Sequence, residues 1–117
     1  MSEQFTKALR LLKPAEFKRV FDRRQSAHNA NFGVYCVKND LEHPRLGLVI
    51  SKKVSKKAVV RNRIKRQLRE SFRRQQDSLG AVDFVVVAKA PYAKIAFESN
   101  ASILETVWQK ALKRCKR

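Results

Sequence analysis

Phe17, Val20 and Phe21 recur at the i, i+3, i+4 spacing that places them on one stripe of a helix, predicted over residues 14–24. Lys13-Pro14 opens it, because proline suits a first helical turn and disfavours helical backbone at the residue before it. Gln25-Ser26-Ala27-His28 then reads as a short edge strand and Asn29-Ala30-Asn31 as a turn. From Phe32 the period changes to two. Phe32, Val34 and Cys36 fall on one face of a strand over 32–38, and Gly33, Tyr35 and Val37 on the other. Asn39 to Pro44 turns the chain into a second alternating run over 45–51, with Leu46, Leu48 and Ile50 on one side and Gly47, Val49 and Ser51 on the other. Residues 82–89 are apolar on both sides, as expected of a central strand with both faces covered.

Helical spacing governs two further segments. Residues 58–78 carry Val60, Ile64, Leu68 and Phe72 at four-residue steps; residues 99–114 carry Ile103, Leu104, Val107, Trp108, Ala111 and Leu112 on one stripe, with Trp108 read as core. Residues 1–12 are mildly basic and weakly patterned, so a loosely ordered arm is expected there. The predicted order is α-β-β-β-α-β-α, an α/β chain folded as an α+β sandwich whose helices cover a small mixed sheet. At 117 residues, without repeats or low-complexity linkers, residues 1–117 are expected to form a single domain.

Charge changes the picture most. Lys and Arg number 27 against 10 Asp and Glu, a net +17, which raises the self-repulsion of the compact state and points to a polyanionic partner, with nucleic acid first. Between Lys52 and Arg74 stand eleven Lys or Arg and one acid, Glu70. With Ile64, Leu68 and Phe72 turned to the core, Asn62, Arg66, Arg69 and Arg73 fall on the opposite helix face, Lys65 flanks one side, and Arg63 and Arg74 flank the other. Like charges at i, i+4 disfavour an isolated helix, and a phosphate backbone lying along it reverses that sign. Arginine predominates on this helix, which suits bidentate phosphate contacts. A solvated face would ordinarily mix signs, and this one hardly does.

No apolar run reaches the roughly 18 residues of a membrane span, and the N-terminal residues lack a secretory pattern, so a cytoplasmic protein with no membrane role is expected. Cys36 reads as a buried small hydrophobe and Cys115 as a helix-end residue, both reduced in that compartment.

The motif Lys52-Lys53, leading to Arg61-Asn62-Arg63-Ile64-Lys65-Arg66-Gln67-Leu68-Arg69-Glu70, resembles the signature of the protein subunit of bacterial ribonuclease P. The resemblance extends to Leu11-Leu12-Lys13-Pro14-Ala15-Glu16-Phe17-Lys18-Arg19-Val20-Phe21, to the run from His43-Pro44-Arg45 through Ser51-Lys52-Lys53, and to Asp83-Phe84-Val85-Val86-Val87-Ala88-Lys89. These motifs stand in the family's order across residues 9–114. Departures are mild: a basic Lys56-Lys57 linker, and Ala90 where relatives often carry a second basic residue. The resemblance implies a ribonucleoprotein in which a catalytic RNA, holding most of the magnesium, hydrolyses the phosphodiester at the mature 5′ end of tRNA. It implies that Arg61, Asn62, Arg63, Lys65, Arg66 and Arg69 bind the RNA subunit. It also implies a cleft for the single-stranded 5′ leader of precursor tRNA, between Phe17 and Phe21 and the sheet face carrying Gly33, Tyr35, Val49 and Ser51, with Lys53 and Lys89 at its edge. A left-handed β-α-β crossover is a further implication, where the general rule alone predicts the right-handed form.

The residues themselves support such a cleft. A strip containing glycine, serine and tyrosine is poor core material and a fair platform for unpaired bases, which stack on aromatic rings while nearby cations hold phosphates. Protein-borne catalysis is not expected: the ten acids are scattered without a two-metal spacing, and His28 and His43 read as solvated loop histidines. No obligate protein partner is expected. The alternative is a non-catalytic RNA-binding protein of the ribosome or of its assembly, which charge and size fit equally well. A DNA-binding helix-turn-helix protein lacks support, since the basic helix follows a strand.

Overall fold

The computed structural model describes residues 10–11, 13–23, 25–28, 32–89, 108–111 and 113. Helix α1 spans Pro14–Asp22 and is followed by strands β1 (Gln25–His28), β2 (Phe32–Lys38) and β3 (Arg45–Val49), helix α2 (Ala58–Leu79) and strand β4 (Val82–Ala88). Residues 108–111 are helical, within the predicted last helix; the rest of that segment, apart from residue 113, lies outside the described residues, as do the predicted turn at 29–31 and residues 1–9 and 12 of the arm. The sheet order is β1-β2-β4-β3, with β1/β2 and β2/β4 antiparallel and β3/β4 parallel. The long helix α2 therefore serves as the crossover between two neighbouring parallel strands.

Two apolar clusters sit on the two sides of this sheet. On one side Phe32, Val34, Cys36, Leu46, Phe84 and Val86 meet Ile64, Leu68, Phe72 and Leu79 of α2. Trp108 closes this core, its ring edge-on to Phe72 at 5.7 Å and to Phe84 at 5.6 Å, and its indole N–H donates to Ser71 Oγ at 2.9 Å. Gly80 ends α2 with φ +71°, a left-handed conformation that glycine adopts without a Cβ clash. On the other side Val37 and Val85 pack under Val20 of α1 together with Leu11.

Helix α1 is held by charge as well as by packing. Its first turn is fixed by the Lys13 N–H donating to the Glu16 carboxylate at 2.9 Å, next to Pro14. Asp83, fully buried in β4, accepts from Arg45 Nε at 2.9 Å and Nη2 at 2.8 Å, from Asn39 Nδ2 at 2.8 Å and from Arg19 Nη1 of α1 at 3.1 Å. Arg45 also reaches Glu16 at 2.8 Å. The Asp83 hydrogen bond, followed by Coulombic attraction to both acids, raises the Arg45 pKa above its ordinary value despite partial burial.

Three expectations need correction. The second run ends as a strand at Val49, so Ile50 lies outside it and Ser51 begins a turn closed by the Val54 N–H to the Ser51 carbonyl at 3.1 Å. Arg10 and Leu11 are docked: Arg10 forms a parallel bridge with Leu46, the Leu11 N–H donates to the Leu46 carbonyl at 3.0 Å, and Leu11 is buried. They cover the outer edge of β3, where no other strand among the described residues pairs. Cys36 is buried as expected, but it is disulfide-bonded rather than reduced. Its Sγ lies 3.3 Å from the Ala111 carbonyl oxygen, so β2 directs it at the C-terminal helical segment. Cys115, the chain's one other cysteine, lies outside the described residues.

Candidate nucleic-acid interface

Helix α2 presents its cations as the apolar spacing requires. Ile64, Leu68 and Phe72 are fully buried, so Asn62, Arg63 and Arg66 are exposed and Lys65 and Arg69 sit half-buried on the flank towards β3. Asn62, Lys65, Arg66, Arg69 and Glu70 line a concavity of about 430 Å³, and Arg10, carried in by its bridge to β3, completes it. Burial, and next the nearby Arg10 charge, lower the Arg69 pKa from its ordinary value. Four cations around one acid in an open concavity are arranged for an anion. Glu70 is itself occupied, bonded to Arg73 and reached by Arg74 at 3.3 Å, and these interactions hold its carboxyl below the usual range, the Arg73 hydrogen bond contributing most.

The structure divides the six residues that the motif singles out. Asn62, Lys65, Arg66 and Arg69 share the concavity. Arg61 instead turns to the loop before the helix, donating from Nη1 to the Ser55 carbonyl at 2.9 Å, and Arg63 lies on the exposed face away from it. Arg10 is not legible from the sequence, because nothing local in a weakly patterned arm signals a bridge to a strand 36 residues on.

The second surface follows from strand register. On the α1 side of the sheet, Val37, Asp83 and Arg45 form one cross-strand row, Tyr35, Val85 and Gly47 the next, and Gly33, Val87 and Val49 a third. Helix α1 covers the first two rows. Arg19 bonds to Asp83, Phe21 meets Tyr35 edge-on at 4.9 Å, and Phe17 lies so close over Gly47 that a Cβ there would fall 2.6 Å from its ring. Row three is left as a half-open apolar strip: Val49 and Val87 are only partly buried, as are Phe17, Phe21 and Tyr35 alongside.

Most of the expected cleft residues therefore do converge, with two differences. Gly33 is buried beneath the His28 ring, so the surface there is histidine rather than bare backbone. Ser51 and Lys53 project from the turn after β3, where the Lys53 N–H donates to Ser51 Oγ at 3.3 Å, while Lys89 follows the end of β4 on the neighbouring strand. Val87 belongs to the strip without any signal in the sequence, because an all-apolar run gives no cue to which side stays open. A smaller concavity of about 140 Å³, lined by Arg10, Phe17, Leu48, Lys65 and Arg69 among others, runs around the edge of β3 and joins the two surfaces.

Among the described residues neither surface offers a metal centre, since no group of three or more His, Cys, Asp or Glu is placed to hold an ion. Asp83, Glu16 and Glu70 are taken up by arginines, and Asp22 by Lys18 at 2.7 Å. No helix among the described residues is long and apolar enough to cross a membrane.

A small α+β sandwich with an arginine-rich concavity on one helix and an aromatic strip beside another is built as an RNA-binding protein. A family model described as Ribonuclease P matches residues 5–112, and the chain belongs to that family. The ribonuclease P protein component of Haemophilus influenzae (strain PittGG) is 48% identical over 109 residues, covering 93% of this chain and 92% of its own length. The Staphylococcus aureus RNase P protein structure superposes with a TM-score of 0.76 at 34% identity, covering 94% of this chain and 97% of that one. The RNase P protein from Thermotoga maritima gives 0.72 at 30% identity, covering 90% and 96%.

Proposed function

We propose that this protein serves as the protein component of ribonuclease P in the cytoplasm, binding a catalytic RNA subunit and the 5′ leader of precursor tRNA during endonucleolytic removal of that leader. Family membership supports the assembly. The observation that carries the division of labour is the pairing of a cationic concavity with a separate, half-open aromatic strip, joined around the edge of β3.

Arg66, Arg69, Lys65 and Arg10 would hold phosphates of the RNA subunit, with Asn62 supplying a neutral hydrogen-bonding side chain among them. Phe17, Phe21, Tyr35, Val49 and Val87 would take the unpaired leader bases by stacking and apolar contact, which tolerates changing leader sequence, while Lys53 and Lys89 steady the leader phosphates. In this reading magnesium would be held mainly by the RNA and would supply the activation of water and the stabilisation of the leaving oxygen. The chain's own part is binding and orientation: it fixes the substrate relative to the RNA and supplies no proton-transfer group.

The test is cleavage of a 5′-extended tRNA precursor at low magnesium by the protein alone, by a bacterial ribonuclease P RNA alone, and by both. Cleavage at the mature 5′ end only with both present is expected. Cleavage by the protein alone would overturn the assignment of the chemistry to RNA. Tight RNA binding without stimulation would favour the ribosomal or assembly role.

A further inference from the structure

His28 is built into the leader strip in a way its position at the end of a four-residue edge strand does not suggest. It pairs in register with Gly33 across β1 and β2, and its ring lies over that glycine: a Cβ on residue 33 would fall 2.5 Å from Nδ1 and 2.8 Å from Cε1. On a second side the ring stands edge-on to Tyr35 at 5.3 Å, and on a third Nε2 is 2.9 Å from Ser26 Oγ. Yet His28 is exposed. An exposed ring fixed on three sides has lost its rotamer freedom in advance, as a ring that must receive a planar ligand should. It also ends the open row His28–Gly33–Val87–Val49, beside the pair Phe21–Tyr35.

We propose that His28 is a third ring of the leader platform, receiving a nucleotide of the single-stranded 5′ leader beyond those stacked at Tyr35 and Phe21. Gly33 acts as its seat, since any side chain there would displace the ring. The inference rests on the leader-binding reading of the strip and extends it from α1 and β2 to the edge strand β1.

The experiment measures binding of precursor tRNAs with a graded series of leader lengths, and of mature tRNA, to the reconstituted holoenzyme. For leaders long enough to reach β1, His28→Ala is expected to weaken binding about fivefold, the low end for loss of one aromatic stacking partner. Short leaders and mature tRNA should bind as before, and His28→Phe should restore the loss. Gly33→Ala should reproduce the His28→Ala loss and add nothing to it in the double variant, with thermal stability recorded for all as the readout of a merely structural pairing. The proposal is overturned if His28→Ala binds every leader normally while Tyr35→Ala does not, or if His28→Ala shifts only thermal stability. Should Tyr35→Ala also leave leader binding intact, the leader reading itself falls, and the extension with it.

Discussion

Arginine is used in opposite ways on the two sides of this small sheet. Beside α1, Arg19 and Arg45 are paired with Asp83 and Glu16, so the cations there hold the helix in place and the neighbouring strip of Phe17, Phe21, Tyr35, Val49 and Val87 is left neutral. Along α2, Lys65, Arg66 and Arg69 gather with Arg10 around a concavity whose single acid, Glu70, already belongs to Arg73 and Arg74. The first arrangement trades charge for geometry and suits stacking. The second crowds like charges together, at a cost to the isolated protein that phosphates remove. On the proposed reading of this chain of net +17, binding at the cationic concavity should depend more steeply on salt than stacking on the strip does.

The largest effect is expected at Asp83. Asp83→Ala removes the buried acceptor shared by Arg45, Arg19 and Asn39, leaving Arg45 with Glu16 and Arg19 with the Lys38 carbonyl, and is expected to cost about 3 kcal/mol, read as a lower urea midpoint. The double variant Arg66→Ala/Arg69→Ala should leave stability nearly intact and weaken RNA-subunit binding by at least about tenfold, with the salt slope reduced by about 1 for each phosphate no longer neutralised. Tyr35→Ala should weaken binding of leader-bearing precursor by about 1–3 kcal/mol with an unchanged salt slope, in a titration repeated at several ionic strengths. The smallest effect is expected at Glu70. Its depressed carboxyl pKa stabilises the fold above the ordinary glutamate value of about 4.3, and that contribution is lost as pH falls through the lower folded value. Glu70→Gln should therefore lose slightly less stability than the parent when denaturation at about pH 6 is compared with about pH 3.

Much of this was legible from residue order. Strand β2 matches the alternation of residues 32–38 end to end, because a sheet with both faces partly covered imposes period two without interruption. The core face of α2 follows from Ile64, Leu68 and Phe72, and once it is set the cation row is a matter of geometry. What escaped is non-local. Arg10 reaches its concavity through a bridge to Leu46, His28 gains its place only by register with Gly33, and Asp83 sits unannounced in an apolar strand because its partners come from α1, β3 and the preceding loop. Cys36 shows the same limit: alternation assigns it to the core, but not to a disulfide.

Separate surfaces for leader and RNA subunit are tested most directly by the affinity ratio of precursor to mature tRNA, measured with holoenzymes carrying either Tyr35→Ala or Arg66→Ala/Arg69→Ala at protein concentrations that saturate the RNA subunit. The ratio should collapse towards unity for Tyr35→Ala and keep its parental value for the arginine pair. Equal loss of the ratio in both variants would contradict separate surfaces for leader and RNA subunit.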